Sequence, residues 1–279
     1  MFRSYRIAEP MGSRAFGLAV LAAILIGLIV ASLDIAGQVQ RVYGQGAADW
    51  RSDWAVQRGF DITIDTQGFQ LPTAIAFVHN PGPSPKDPLY FVTELNGAVK
   101  VVTNDRTVST FAADFFTAPG SRYAGMAGIC LDPTHGYVFV TFTYRDSVSL
   151  LRNNVVRFQA TPETFSLSAS SQLYFTGMFA PYEARGEHQI GGCQVKDGLL
   201  YISVGDGKQF REAQRVNSLL GKIVRLTLDG QPPPDNPFYD EGDLAKPANY
   251  VWAYGFRNPF GLKVVGDQVF VADNGANID

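Results

Sequence analysis

Four polar residues in the last third of this 279-residue chain have types that carry proton and charge chemistry: His188, Asp206, Arg257 and Asn258. A neutral imidazole accepts a proton near pH 7, and a carboxylate beside it fixes its tautomer and stabilises its charged form. An arginine stabilises negative charge that develops on an oxygen. Their spacing is symmetric. His188 lies nine residues before Asp197 and Asp206 nine after it; Arg257 lies nine before Gly266 and Gly275 nine after it. Asp197-Gly198 and Gly266-Asp267 read as hairpin turns. In an antiparallel hairpin, positions equidistant from the turn face each other. The spacing therefore predicts that His188 meets Asp206 and that Arg257 meets Gly275.

The elements that must position these groups are repeated hairpins. Apolar runs at Leu89–Thr93, Tyr137–Thr141, Leu200–Val204 and Val269–Ala272 each follow another apolar run, at Thr73–Val78, Gly128–Leu131, Gly192–Val195 and Gly261–Val265. A third strand follows three of them, at Gly97–Val102, Asn154–Phe158 and Lys222–Leu226. Arg211–Leu220 is the best short helix. Anchors at Tyr90, Val138, Tyr201 and Phe270 are 48, 63 and 69 residues apart, the length of a four-stranded β-propeller blade with insertions. The reading is an all-β propeller of about four blades, the fourth unfinished at Asp279, so the natural protein is expected to be longer. A β-sandwich would not explain the repetition. His188 and Arg257 each lie thirteen residues before their repeat anchors, which places both at one mouth of the propeller, where a few convergent polar groups make a ligand site.

Composition agrees. Hydrophobic residues make up 46% and charged residues 18%, which excludes a disordered chain; 28 Gly, 20 Phe and 12 Tyr favour turn-rich aromatic β structure. A net charge of −3 gives no basic footprint for nucleic acid. Near the start, Arg3, Arg6 and Arg14 precede an uncharged stretch from Ala15 to Leu33. That stretch is long enough to span a bilayer, and the arginines keep residues 1–14 in the cytoplasm. The expected organisation is a transmembrane signal anchor over residues 15–33, a linker over 34–60 and an extracytoplasmic propeller domain over 61–279, with a cleaved signal as the second reading.

The runs Glu187-His-Gln-Ile-Gly-Gly, Leu200-Tyr-Ile-Ser-Val-Gly-Asp-Gly, Leu220-Gly-Lys-Ile-Val-Arg-Leu, Asp235-Asn-Pro-Phe and Ala253-Tyr-Gly-Phe-Arg-Asn-Pro-Phe-Gly-Leu resemble one family. It is the glucose/sorbosone and aldose sugar dehydrogenases that use pyrroloquinoline quinone (PQQ), with hedgehog-interacting-protein-like relatives. Leu71-Pro-Thr-Ala-Ile-Ala-Phe and Gly125-Met-Ala-Gly-Ile-Cys-Leu-Asp-Pro fit it too. The resemblance covers about residues 60–279 and implies a six-bladed propeller. It implies that His188 is the general base for the sugar C1 hydroxyl, that Asp206 holds it, and that hydride passes to PQQ. It further implies that Arg257 and Asn258 contact the cofactor and that Glu187 touches substrate. Tyr123 stands where the family often has Gln or Glu, and is carried as a substrate contact. Calcium is implied at the run containing Gly275 and Ala276. An external electron acceptor is the remaining partner.

Two other functions compete: a non-catalytic propeller that binds a protein or carbohydrate, and a propeller hydrolase. The hydrolase needs calcium-binding side chains in the central channel, and no such cluster assembles from these residues. Finally, Cys130 and Cys193 each lie eight residues before a repeat anchor, so they occupy equivalent strands of neighbouring blades. Packed sheets sit roughly 10 Å apart, beyond the reach of a disulfide. The expectation is two buried free thiols.

Overall fold

A computed structural model describes residues 57–120, 124–179, 183–184 and 186–275. The segment read as a membrane anchor lies outside the described residues, as do Tyr123 and Ala276; no helix among the described residues is long and apolar enough to cross a membrane. The chain divides into Met1–Ile64 and Asp65–Asp279, and the second unit holds all the described strands.

Those strands form three four-stranded antiparallel sheets and a hairpin, each in chain order. The first sheet is β1 (Pro72–Phe77), β2 (Pro88–Glu94), β3 (Ala98–Thr103) and β4 (Val108–Ala112). The second is β5 (Met126–Asp132), β6 (Tyr137–Arg145), β7 (Leu151–Gln159) and β8 (Ser171–Tyr174). The third is β9 (Ile190–Lys196), β10 (Leu199–Val204), β11 (Lys222–Thr227) and β12 (Val251–Tyr254), and the hairpin is β13 (Pro259–Val265) with β14 (Gln268–Asp273). Short helices α1 (Thr176–Phe179) and α2 (Phe210–Ala213) lie in the connections; α2 takes up only the start of the stretch expected to be helical.

The hairpins form where the turn chemistry demands. Asp197 and Gly198 both have positive φ, 51° and 74°, and join Lys196 to Leu199 in a two-residue loop. The middle strands read as nearly continuous apolar runs because sheets cover both of their faces; along β6, Val138 to Thr143 are all buried. Phe91, Phe111, Phe142 and Phe158 fill the space between the first and second sheets, and Phe139, Leu200, Ile202 and Leu226 that between the second and third. The first strands β1, β5, β9 and β13 stand beside one another in sequence order, the arrangement of a propeller whose blades radiate from an axis. The fourth strands β4, β8 and β12 carry no run in the sequence strong enough to mark them; they are short edge strands with a single neighbour, and β8 is mostly exposed.

The thiol expectation is overturned. Cys130 and Cys193 form a disulfide, with Cα atoms 5.7 Å apart. The blade register held: Cys130 pairs with Phe139 as Cys193 pairs with Ile202. What failed was the distance. β5 and β9 are the innermost strands, and glycines let them close in: a Cβ on Gly128 would lie 2.8 Å from the Gly191 carbonyl oxygen and 2.9 Å from the Gly192 Cα.

Candidate active site

His188 precedes β9, and Asp206 follows β10 in the same hairpin. His188 Nδ1 lies 2.7 Å from Asp206 Oδ1, with 9% and 4% of the two side chains exposed. A carboxylate only accepts, so Nδ1 carries the donated proton and the neutral ring presents a lone pair at Nε2. The same Asp206 oxygen accepts the Lys208 amide at 2.8 Å, which holds the carboxylate from two sides.

His188 has φ +55°, a conformation uncommon for a residue with a side chain. The chain holds it there by close approach. The Gly205 amide donates to Gln189 O at 2.9 Å and the Gly207 amide to His188 O at 3.0 Å. A Cβ on Gly205 would fall 2.4 Å from His188 O, so only glycine allows this loop to pack on the histidine.

Arg257 belongs to the same rim. The Asp206 amide donates to Arg257 O at 2.8 Å. Asp273 grips the chain here with both oxygens, accepting the Arg257 amide at 3.1 Å and the Asn258 amide at 2.7 Å. Arg257 Nη1 donates to Asn274 O at 2.9 Å. Two of the bonds of Arg257 thus fall on Asp273 and Asn274, next to Gly275. Asn258 is buried, and its carbonyl accepts the Asn274 amide at 3.2 Å.

Glu187 completes the cluster. Its carboxylate meets Lys208 Nζ at 2.5 Å on the exposed edge. The Lys208 hydrogen bond holds the Glu187 carboxyl below the usual carboxylate range against some desolvation, and the charges of Lys208 and Arg257 act in the same direction. Lys208 and Asp273 were not singled out in the sequence, and Gly205 and Gln189 stood in the quoted runs without a role. For Lys208 the signal was present, since it continues the Gly-Asp-Gly run in which Asp206 sits; Asp273 needed the hairpin geometry. Gln189 Oε1 is buried without a hydrogen-bond partner among the described residues, an acceptor beside the histidine that a donor from a bound molecule would satisfy.

The propeller-like domain thus carries on one rim an imidazole–carboxylate pair with an arginine beside it, groups able to accept a proton and to oppose negative charge. The family model for glucose/sorbosone dehydrogenases matches residues 70–278, and the chain belongs to that family. The aldose sugar dehydrogenase YliI of Escherichia coli K12 is 42% identical over 84 residues, covering 29% of this chain and 22% of that protein. Among solved structures, a Thermus thermophilus oxidoreductase described as a glucose dehydrogenase is 28% identical with a TM-score of 0.58, over 76% of this chain and 60% of that one. The PQQ-bound aldose sugar dehydrogenase of Streptomyces coelicolor shares the fold at 24% identity, with a TM-score of 0.57 over 76% and 59% of the two chains. The chain thus spans less than two thirds of each of these relatives.

Proposed function

We propose that this rim is the catalytic face of an extracytoplasmic aldose dehydrogenase working with PQQ, in which His188 takes the proton of the sugar C1 hydroxyl. The observation that carries the reading is the 2.7 Å contact between His188 Nδ1 and Asp206 Oδ1. That contact leaves Nε2 as the proton acceptor and places a fixed negative charge behind the imidazolium that forms. The family relationship and the PQQ carried by the Streptomyces coelicolor protein support the choice of cofactor.

The residues present fit such a cofactor. Its carboxylates call for cationic and amide partners; Lys208 and Arg257 are bonded to Asp206 through their backbones, and Asn258 follows Arg257 on the same rim. When bound, PQQ supplies the acceptor for the hydride that leaves C1. The sugar loses that hydride and the hydroxyl proton together, so C1 ends as a carbonyl carbon and the proton resides on His188 Nε2. Arg257 opposes negative charge that develops at the mouth. Glu187, Gln189 and Tyr123 are assigned to substrate hydroxyls. Gly275 and Ala276 are assigned to calcium through backbone carbonyls, which suit a hard cation. The electrons leave through an external acceptor. The uncharged stretch before residue 34 anchors the protein in a membrane, and the Cys130–Cys193 disulfide supports an oxidising compartment for the domain.

The test is dye reduction by protein loaded with calcium and PQQ and given an aldose. His188→Ala should lower turnover by about 10²–10⁴, the usual worth of a positioned base. Full activity in that variant removes His188 from the mechanism. Failure to bind PQQ at saturating calcium moves the assignment to a non-catalytic propeller that binds a protein or carbohydrate.

A further inference from the structure

The run Leu220-Gly221-Lys222 holds a fully buried lysine with no carboxylate bonded to it among the described residues. Lys222 opens β11 and is 0% exposed. Its Nζ donates to three backbone carbonyls: Glu212 O at 2.8 Å, Ala213 O at 3.0 Å and Leu220 O at 2.6 Å. Two of these end α2, where carbonyls have no partner within the helix. Burial pushes the Lys222 pKa down to about 8, opposed by the charge of Glu212. At neutral pH the group is therefore still an ammonium, with three protons for three carbonyls. A buried charge is retained only where such bonds compensate it.

Lys222 stands where two loops leave the sheet. Its neighbours across the ladder are Val204, the last residue of β10, and Tyr254, the last of β12. The first loop carries Asp206 and the second carries Arg257. Gly221 joins them: its amide donates to Gly205 O at 3.0 Å, and its carbonyl accepts the Gly255 and Phe256 amides at 3.1 and 3.2 Å. A Cβ on Gly221 would lie 2.5 Å from Phe256 O, so the junction closes only on glycine.

We propose that Lys222 is a positioning residue, whose ammonium gathers three carbonyls of the β10–β11 connection and, with Gly221 bonded to the loop after β12, sets Asp206 against His188 with Arg257 beside them. The proposal rests on the reading of this rim as catalytic, but its test uses neither PQQ nor sugar. In the full chain, Lys222→Met keeps the length of the side chain and removes the donors. Amide hydrogen exchange should then quicken at least tenfold at Asp206, Gly221 and Phe256 and stay unchanged in β5–β7. The low-field proton resonance of His188 Nδ1–H, identified by its loss in His188→Ala, should shift or vanish. Unchanged exchange with an unchanged His188 resonance overturns the proposal, and so does protection lost evenly along the chain. Should Lys222→Met fail to fold, native-state exchange of the wild-type chain in low denaturant decides. The Asp206, Gly221 and Phe256 amides should open as one unit, and three separate opening free energies overturn the proposal. An inactive protein with this unit intact would refute the function and leave Lys222 in its role.

Discussion

The second and third sheets each carry an imidazole–carboxylate pair, and the two pairs lie at opposite ends of their sheets. His135 Nδ1 meets Asp132 Oδ2 at 2.5 Å and His188 Nδ1 meets Asp206 Oδ1 at 2.7 Å. By distance alone they are equivalent. β5 and β9 run side by side in the same direction, with Gly128 against Gly191 and Cys130 bonded to Cys193. Asp132 ends β5 and His188 precedes β9, so the pairs point to opposite mouths. The first pair is local, three residues apart in a hairpin turn, with half of the His135 side chain exposed and its ring stacked on Tyr137 at 5.3 Å. The second joins residues 18 apart, is nearly buried, and has Lys208, Glu187 and Arg257 around it. A histidine beside a carboxylate is therefore not a site by itself. What distinguishes His188 is that several loops were built to converge on it.

The sharpest way to break this comparison is to remove each imidazole in turn. Against the loss of about 10²–10⁴ in turnover expected for His188→Ala, His135→Ala should leave turnover unchanged, measured by the same dye reduction. Equal losses would mean that the ends of the sheets are not functionally distinct.

The next effect concerns the bond that ties the two strands. Replacing Cys130 and Cys193 with serine should lower stability by roughly 2–4 kcal/mol in denaturant titration. The wild-type chain, denatured without reductant, should show no reactive thiol while remaining monomeric.

A smaller change sharpens the comparison at the rim itself. Gly205→Ala forces a Cβ to within 2.4 Å of His188 O. It should cost roughly 1–3 kcal/mol, as overpacking does, and shift the His188 Nδ1–H resonance while leaving that of His135 in place. The reverse pattern would show that the loop does not hold the histidine.

The smallest effect is electrostatic. Lys208 keeps the Glu187 carboxyl below its ordinary range. Because the folded value lies below the unfolded one, this contact stabilises the fold above the ordinary carboxylate pKa and is lost as pH falls through the lowered value. Lys208→Ala should raise the Glu187 midpoint in a carboxyl-detected NMR titration. High salt should do the same in the wild type, since exposed pairs are screened. A midpoint that moves in neither case would separate Glu187 from Lys208.

Much of this molecule is determined by its sequence alone. Apolar runs mark the first two strands of every sheet and the third strand of three, with Asp197-Gly198 and Gly266-Asp267 marking two of the turns, because strand patterning and turn conformation are local properties. Hairpin symmetry is local too and carried His188 to the neighbourhood of Asp206, but the Asp197-Gly198 turn pairs Leu199 with Lys196, and a register shift between Ile202 and Val204 puts His188 opposite Asp206. The edge strands β4, β8 and β12 were not legible, since an edge strand needs little apolar surface and takes its shape from the neighbour it joins. Nor was the disulfide: the register of Cys130 and Cys193 follows from the repeat, but their 5.7 Å separation depends on how closely two glycine-bearing strands approach the axis. Lys222 is the clearest case. From the sequence it is a charge at the head of an apolar run. Only the tertiary structure brings three carbonyls and two loops around it, because bonds to backbone carbonyls leave no trace in the identities of the residues that supply them.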